Sequence, residues 1–195
     1  NQIGDWIEQW LRLRNVAIEP QALILLVSCL GANLQLIENE LNKILAQQPE
    51  NKAARIDKDM IYENINIDKE FNIFELINAL GERNGLKSIQ IATYLSLQAK
   101  NNPTIMIVAQ LYSFYLKVAK LKQRRNISEG EAAKLLGVHP FWVKQYLAAA
   151  RVHTFSQVVG NIQHLQEADL ALKGISTTQM SEAHILKSLV LNLLH

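Results

Sequence analysis

Apolar residues recur at three- and four-residue spacings along almost the whole chain, which is the period of an amphipathic α-helix. In the helix predicted to begin near Asn33, for example, Leu34, Ile37, Leu41 and Ile44 fall on one face. Alternating runs rich in Val or Thr, which would indicate strands, are nearly absent. The pattern therefore predicts an all-α protein with no sheet.

Turn residues divide this pattern into separate helices. Pro20, Pro103 and Pro140 suit the first turns of helices, and glycines such as Gly31 and Gly137 suit helix ends. Helices are predicted to begin near residues 5, 21, 33 and 57, and to cover 72–83, 86–101, 104–125, 128–136, 140–152, 154–172 and 179–194.

Residues 65–72 carry no helical stripe and are predicted to join two helical domains, 1–67 and 68–195. Charge also separates the two. Residues 1–67 carry 6 Lys and Arg against 9 Asp and Glu, whereas residues 68–195 carry 14 against 9. A mild positive balance of this kind permits a nucleic-acid partner without requiring one.

The composition describes an ordered chain, with 49% hydrophobic residues, 4 Pro and 8 Gly. The single Cys29 cannot form an internal disulfide, which fits a reducing, cytoplasmic setting. We expect no membrane span, because no stretch approaches about 18 uninterrupted apolar residues. The chain has no initiating Met and begins just ahead of a helix, so we expect it to be a piece of a longer protein.

Signals for catalysis and metal binding are missing from the sequence. There is no glycine-rich phosphate loop, the five histidines show no metal-ligand spacing, and Glu38 and Glu40 do not share a helix face. We therefore expect no cofactor, no metal and no intrinsic catalysis. A fragment of an enzyme should leave at least one cluster of polar or titratable side chains, and none is visible.

Residues 129–147 resemble a helix-turn-helix, with Ala133, Gly137 and Val143 at the spacing of that motif. A second helix that reads DNA should expose polar side chains near its start. Here the start is His139, Pro140, Phe141 and Trp142. A structural helical hairpin is the better interpretation, and a helix-turn-helix DNA-binding regulator is the alternative.

Cations gather at the end of the helix predicted at 104–125. We take as candidate DNA contacts Lys117, Lys120, Lys122, Arg124 and Arg125, together with Trp142 and Lys144. The cations would touch phosphates regardless of sequence, and the Trp ring could stack on an unpaired base. The plainer alternative is a solvated helix end, where the helix dipole favours positive charge, with the Trp ring packed in the hairpin core.

The last predicted helix is apolar on more than one face. A surface helix needs only one apolar stripe, so the surplus must be covered by something. Ile185, Leu189 and Leu193 are therefore candidate contacts with another subunit. The alternative is that this helix is central to the core of its own domain.

Several phrases, taken in order, resemble the delta subunit of bacterial DNA polymerase III. They are LGANLQLIENELNKI (30–44), EFNIFELINALGERN (70–84), and AAKLLGVHPFWVKQYLAAAR (132–151) followed by LQEADLALKG (165–174). Each phrase is mostly apolar helix, and it is their order and spacing that make the resemblance specific. It covers essentially the whole chain.

The resemblance implies a three-domain, non-catalytic subunit of the polymerase holoenzyme, a nucleotidyltransferase. An AAA+-like N-terminal domain would bind the sliding clamp, residues 1–67 would be the helical lid, and residues 68–195 would be the collar. The collar would pack against the delta-prime and gamma/tau subunits around primer–template DNA. In ATP-using lids an Arg follows the Gly turn of the third helix. Leu34 occupies that place here and cannot compensate phosphate charge.

Overall fold

The structure, a computed structural model, describes residues 2–30, 33–47, 55–65, 71–99, 102–124, 126–175 and 180–195. The chain divides into two compact units, Asn1–Lys69 and Glu70–His195. Most of the joint predicted at 65–72 lies outside the described residues.

The first unit is built from short helices around a small apolar core. Its elements are α1 (Gln2–Arg12), β1 (Ala17–Ile18), α2 (Pro20–Leu30), α3 (Leu34–Ala46), β2 (Arg55–Ile56) and α4 (Lys58–Ile65). The side chain of Asn33 caps α3 by accepting a hydrogen bond from the Leu36 amide at 3.1 Å. Asp57 caps α4 in the same way, accepting from the Met60 amide at 2.9 Å.

The expectation of no sheet was wrong in one detail. β1 and β2 pair in parallel, with Ala17 opposite Arg55 and Ile18 opposite Ile56. Ile56 is fully buried, and its carbonyl accepts a hydrogen bond from the Glu19 amide at 2.9 Å. Two residues are too few to show alternation, and the partners are far apart in the sequence. The hydrophobic pattern therefore carries no signal for this pairing.

The second unit is entirely helical over its described residues. Its elements are α5 (Ile73–Gly81), α6 (Gly85–Leu97), α7 (Thr104–Lys122), α8 (Glu129–Leu136), α9 (Pro140–Val152), α10 (Phe155–Leu172) and α11 (Glu182–Leu194). The predicted starts and ends agree within a few residues. The largest differences are at α6, which stops at Leu97, at α7, which stops at Lys122, and at α11, which begins after the capping residue Ser181.

The central helix of the second unit is α7, which packs against α5, α8, α9, α10 and α11. By length and composition alone α7 is apolar enough to cross a membrane, although polar residues interrupt its apolar run. A core helix passes the same test. Here one side of α7 is the core of the unit, including the fully buried Leu111, Tyr115 and Val118.

Candidate functional site

The cationic side chains at the end of α7 are only partly available for binding. Lys117 is half-buried and its ammonium donates to the Ser113 hydroxyl at 2.6 Å. Burial, with a smaller contribution from the charge of Lys120, lowers the pKa of Lys117. The ammonium of Lys122 donates to the Ala150 carbonyl at 3.0 Å.

That carbonyl lies in the last turn of α9, where helix carbonyls lack partners within the helix and the dipole favours a cation. Lys122 therefore stabilises the end of α9. Lys120 and Arg124 are exposed, and neither forms an ion pair with another described residue. Arg125 lies outside the described residues.

The two candidates on α9 differ in their surroundings. Trp142 is half-buried, and its ring lies 6.5 Å from that of Phe74 on α5, at an interplanar angle of 18°. An offset-stacked pair of this kind stabilises helix packing. Lys144 is exposed and lies about 200° further around the helix. The structure thus gives Trp142 a packing role and leaves Lys144 at the surface.

The hairpin of α8 and α9 has the geometry that its sequence predicts. Ala133 and Val143 are buried in one small cluster, and Gly137 ends α8 with a left-handed φ of 61°. Ser128 and Glu131 form a reciprocal capping box at the start of α8. The cluster also includes Leu121 of α7, so the hairpin is joined to the core of the second unit.

The structure does not place the three interface candidates of α11 at the surface of the second unit. Ile185, Leu189 and Leu193 are all buried within the core of the second unit itself. The physical reason is that α11 packs against α6, α10 and α7, and these neighbours cover more than one of its faces. The additional apolar faces of α11 are therefore buried inside the second unit.

A buried polar cluster, not found from the sequence, ties several helix ends together. Nε2 of His153, which follows α9, lies 3.1 Å from the Leu80 carbonyl at the end of α5. Asn161 donates to the Leu193 carbonyl at 3.3 Å, and Arg83 donates to the Leu194 carbonyl at 2.7 Å. The His153 ring meets the ring of Tyr115 edge-on, with centroids 5.8 Å apart.

This cluster supports packing rather than chemistry. Burial lowers the pKa of His153 and raises that of Tyr115, so both groups are neutral near pH 7. The neutral imidazole donates from Nε2 to the Leu80 carbonyl. The sequence signal for the cluster is weak, because the histidine stands alone in a turn between two helices.

In the first unit, the residue that the resemblance places at the position of a lid Arg is Leu34. Leu34 begins α3 and is exposed, while Gly31 and Ala32 lie outside the described residues. Burial raises the pKa of the Cys29 thiol to about 12, which makes it a poor nucleophile. Over the described ranges, three or more His, Cys, Asp or Glu never come together in a way that would hold a metal ion.

The fold and these side chains describe an all-α protein whose candidate residues serve helix packing and surface charge. Residues 70–193 match the family model described as DNA polymerase III delta subunit, C-terminal domain. This match covers more than half of the chain, and the chain belongs to that family. The resemblance read from the three phrases and the all-α fold class are thereby confirmed.

A solved structure agrees with this assignment. The chain is similar to the DNA clamp loader delta protein of Bacillus subtilis, with 25% sequence identity and a TM-score of 0.63. The match covers 99% of this chain and 56% of that chain, so the 195 residues span little more than half of the relative. No curated protein matches the sequence. Neither the family model nor the solved structure supports the alternative of a helix-turn-helix regulator.

Proposed function

We propose that this chain is the lid and collar of a clamp-loader delta subunit, which helps to assemble the ring that loads the sliding clamp on primed DNA. The observation that carries the proposal is the family match over 70–193 within a fold shared with a clamp loader delta protein. Residues 1–67 are assigned to the lid and residues 68–195 to the collar. The two compact units of the structure support that division.

The proposed role is assembly in the cytoplasm, without catalysis by this chain. The collar contacts the delta-prime and gamma/tau subunits, and the sliding clamp is bound by the AAA+-like N-terminal domain that the resemblance implies. Leu34, an uncharged residue at the start of α3 where an ATP-using lid has an Arg, supports a subunit that uses no ATP.

Reconstitution tests this role. The full-length protein, mixed with delta-prime and gamma/tau from its own organism, should elute as one complex whose mass by light scattering includes one copy of it. The same mixture should load the sliding clamp on primed DNA, and omission of this protein should abolish loading. Free elution of the protein at micromolar concentrations would show that it is not a clamp-loader subunit.

Weak, sequence-independent contact of the unassembled protein with primer–template DNA is a further proposal, supported by the exposed Lys120, Arg124 and Lys144. Lys120→Ala/Arg124→Ala should weaken binding at low salt, because each lost phosphate contact reduces the dependence of log affinity on log salt by about 0.9. Fluorescence anisotropy across a salt series measures this. Trp142→Ala should keep wild-type affinity, since its ring packs on Phe74.

Equal affinities of the wild-type protein and the double variant would remove DNA contact from the end of α7. A selective loss in Trp142→Ala would instead show that the ring leaves Phe74 and stacks on a base.

A further inference from the structure

The outward side of α7 carries a row of exposed apolar side chains. Ile105, Tyr112 and Leu116 are 41%, 40% and 39% exposed, and Ala109 between them is also exposed. Their spacing places all four on one line along the helix, and we call this line the outer stripe. Met106, 56% exposed, flanks its start.

The outer stripe lies opposite the core side of the same helix. Over its first four turns α7 is therefore apolar on both sides, and such a helix is normally covered on both. Exposed apolar residues elsewhere in the unit are more scattered. On α6, for instance, the exposed Leu86 and Ile89 lie about two to three turns away from the exposed Leu97. Contiguous apolar surface, rather than single exposed residues, marks an interaction site.

Charge identifies the kind of partner that fits. The outer stripe continues along the helix into Lys120, with Lys117 beside it, and α7 contains no Asp or Glu. Arg124 follows two residues after the end of the helix. Lys120 and Arg124 lack an ion-pair partner among the described residues. Burial is the main cause that lowers the pKa of Lys117, and the charge of Lys120 adds to it, so an anion bound here would relieve repulsion between two cations.

We propose that the outer stripe and its cationic end receive an amphipathic helix from a neighbouring clamp-loader subunit. Apolar side chains of that helix pack on Ile105, Tyr112 and Leu116, and its carboxylates lie against Lys120 and Arg124. This inference rests on the proposed function and names the surface that the collar uses. The apolar contacts supply affinity, while the charges fix the direction of the partner helix and speed association.

The apolar half of the surface is tested by Leu116→Glu in the full-length protein, with binding to its own clamp-loader partners measured by surface plasmon resonance. The expected result is an affinity lower by about tenfold or more, the size of effect typical of a central interface residue. Leu170→Glu on α10 is the matched control, since Leu170 is 38% exposed and Leu116 is 39% exposed. Both variants should keep the circular dichroism spectrum and melting temperature of the wild type.

Unchanged affinity in Leu116→Glu, or an equal loss in both variants, overturns the assignment to α7. Failure of the wild-type protein to assemble overturns the proposed function as well. If the wild-type protein assembles and Leu116→Glu binds the partner subunits with unchanged affinity, only this inference is wrong and the proposed function stands.

The cationic half is tested by Lys120→Glu/Arg124→Glu in the same assay. Association with the partner subunits should slow, and its salt dependence should decrease, because the attractive charges are reversed. If the double variant loses only DNA affinity, the end of α7 is a DNA surface and the proposal is wrong. It is also wrong if Leu116→Glu abolishes only self-association, since the occupant is then a second copy of this chain.

Discussion

Leu189→Asp is expected to unfold the second unit, Glu70–His195. Leu189 is 3% exposed and belongs to the main core cluster, so the new carboxylate would be buried among apolar side chains. The cost of burying an unpaired charge is comparable to the whole stability of a domain, about 5–15 kcal/mol. Circular dichroism should show loss of helix and of the cooperative thermal transition.

A milder change at the same position gives a measurable stability. Leu189→Ala should lower the free energy of unfolding by about 2–5 kcal/mol, from lost burial and the cavity left behind. Urea unfolding followed by circular dichroism checks this value. Leu191→Asp is the matched control, because Leu191 is two residues away on the same helix and 46% exposed. It should stay folded with nearly wild-type stability.

The pair of aspartate variants also decides the role of α11. If Leu189→Asp stays folded and loses only assembly with partner subunits, Leu189 is an interface residue. The second unit then does not depend on Leu189 for its folding. If both aspartate variants unfold, the loss reflects charge on α11 in general rather than burial of Leu189.

The second unit is expected to lose stability as pH falls below about 6.5. Burial lowers the pKa of His153 below the usual value, whereas the unfolded chain keeps an ordinary histidine pKa near 6.5. Between those two pKa values the unfolded state binds more protons than the folded state. Stability therefore rises with pH across this window, is complete above it, and is lost as the pH drops through it.

The groups around His153 support this sign. Burial is the largest effect on His153 and disfavours the imidazolium, as do the positive charges of Arg83 and Lys122. Hydrogen bonding with the Leu80 and Gly81 backbone favours the imidazolium, but less strongly than burial disfavours it. Tyr115, which meets the ring edge-on, is neutral throughout this range because burial raises its pKa. Protonating His153 would thus place a charge in the core without a carboxylate partner.

His153→Gln isolates the effect. A glutamine amide can still donate to the Leu80 carbonyl but does not titrate, so the variant should be less stable at pH 7.5 yet lose less on going to pH 5. Urea midpoints at both pH values measure the difference, with His139→Gln at an exposed position as the control. Parallel pH profiles for wild type and His153→Gln would show that this ring does not carry the acid sensitivity.

Local signals explain most of what could be predicted. Helix positions follow from apolar spacing. Helix starts follow from capping side chains such as Asn33, Asp57 and Ser128, which accept hydrogen bonds from amides three residues ahead. The α8–α9 hairpin was likewise predictable, because a small residue, a turn glycine and an apolar residue stand at fixed spacing. These are interactions between near neighbours in the chain, and sequence alone records them.

The functional surface depended on contacts that the sequence does not record. α7 and α11 both have apolar residues on more than one face, and the sequence alone left open whether α11 contacts a partner or lies in the core of its own domain. In the fold, α11 is covered by α6, α7 and α10, whereas one side of α7 keeps Tyr112 and Leu116 at the surface. Lys122 similarly changed from a DNA candidate to a cap of α9 because of one bond to a residue distant in sequence.

The sequence by itself thus determined the helices, their caps and the family resemblance, since these depend on local spacing and on the order of motifs. Tertiary structure alone decided the β1–β2 pairing, the buried position of His153, and which apolar helix face remains uncovered. Burial is a property of the neighbours that a side chain acquires on folding. Two helices that are each apolar on more than one face can therefore differ in whether one of those faces stays exposed.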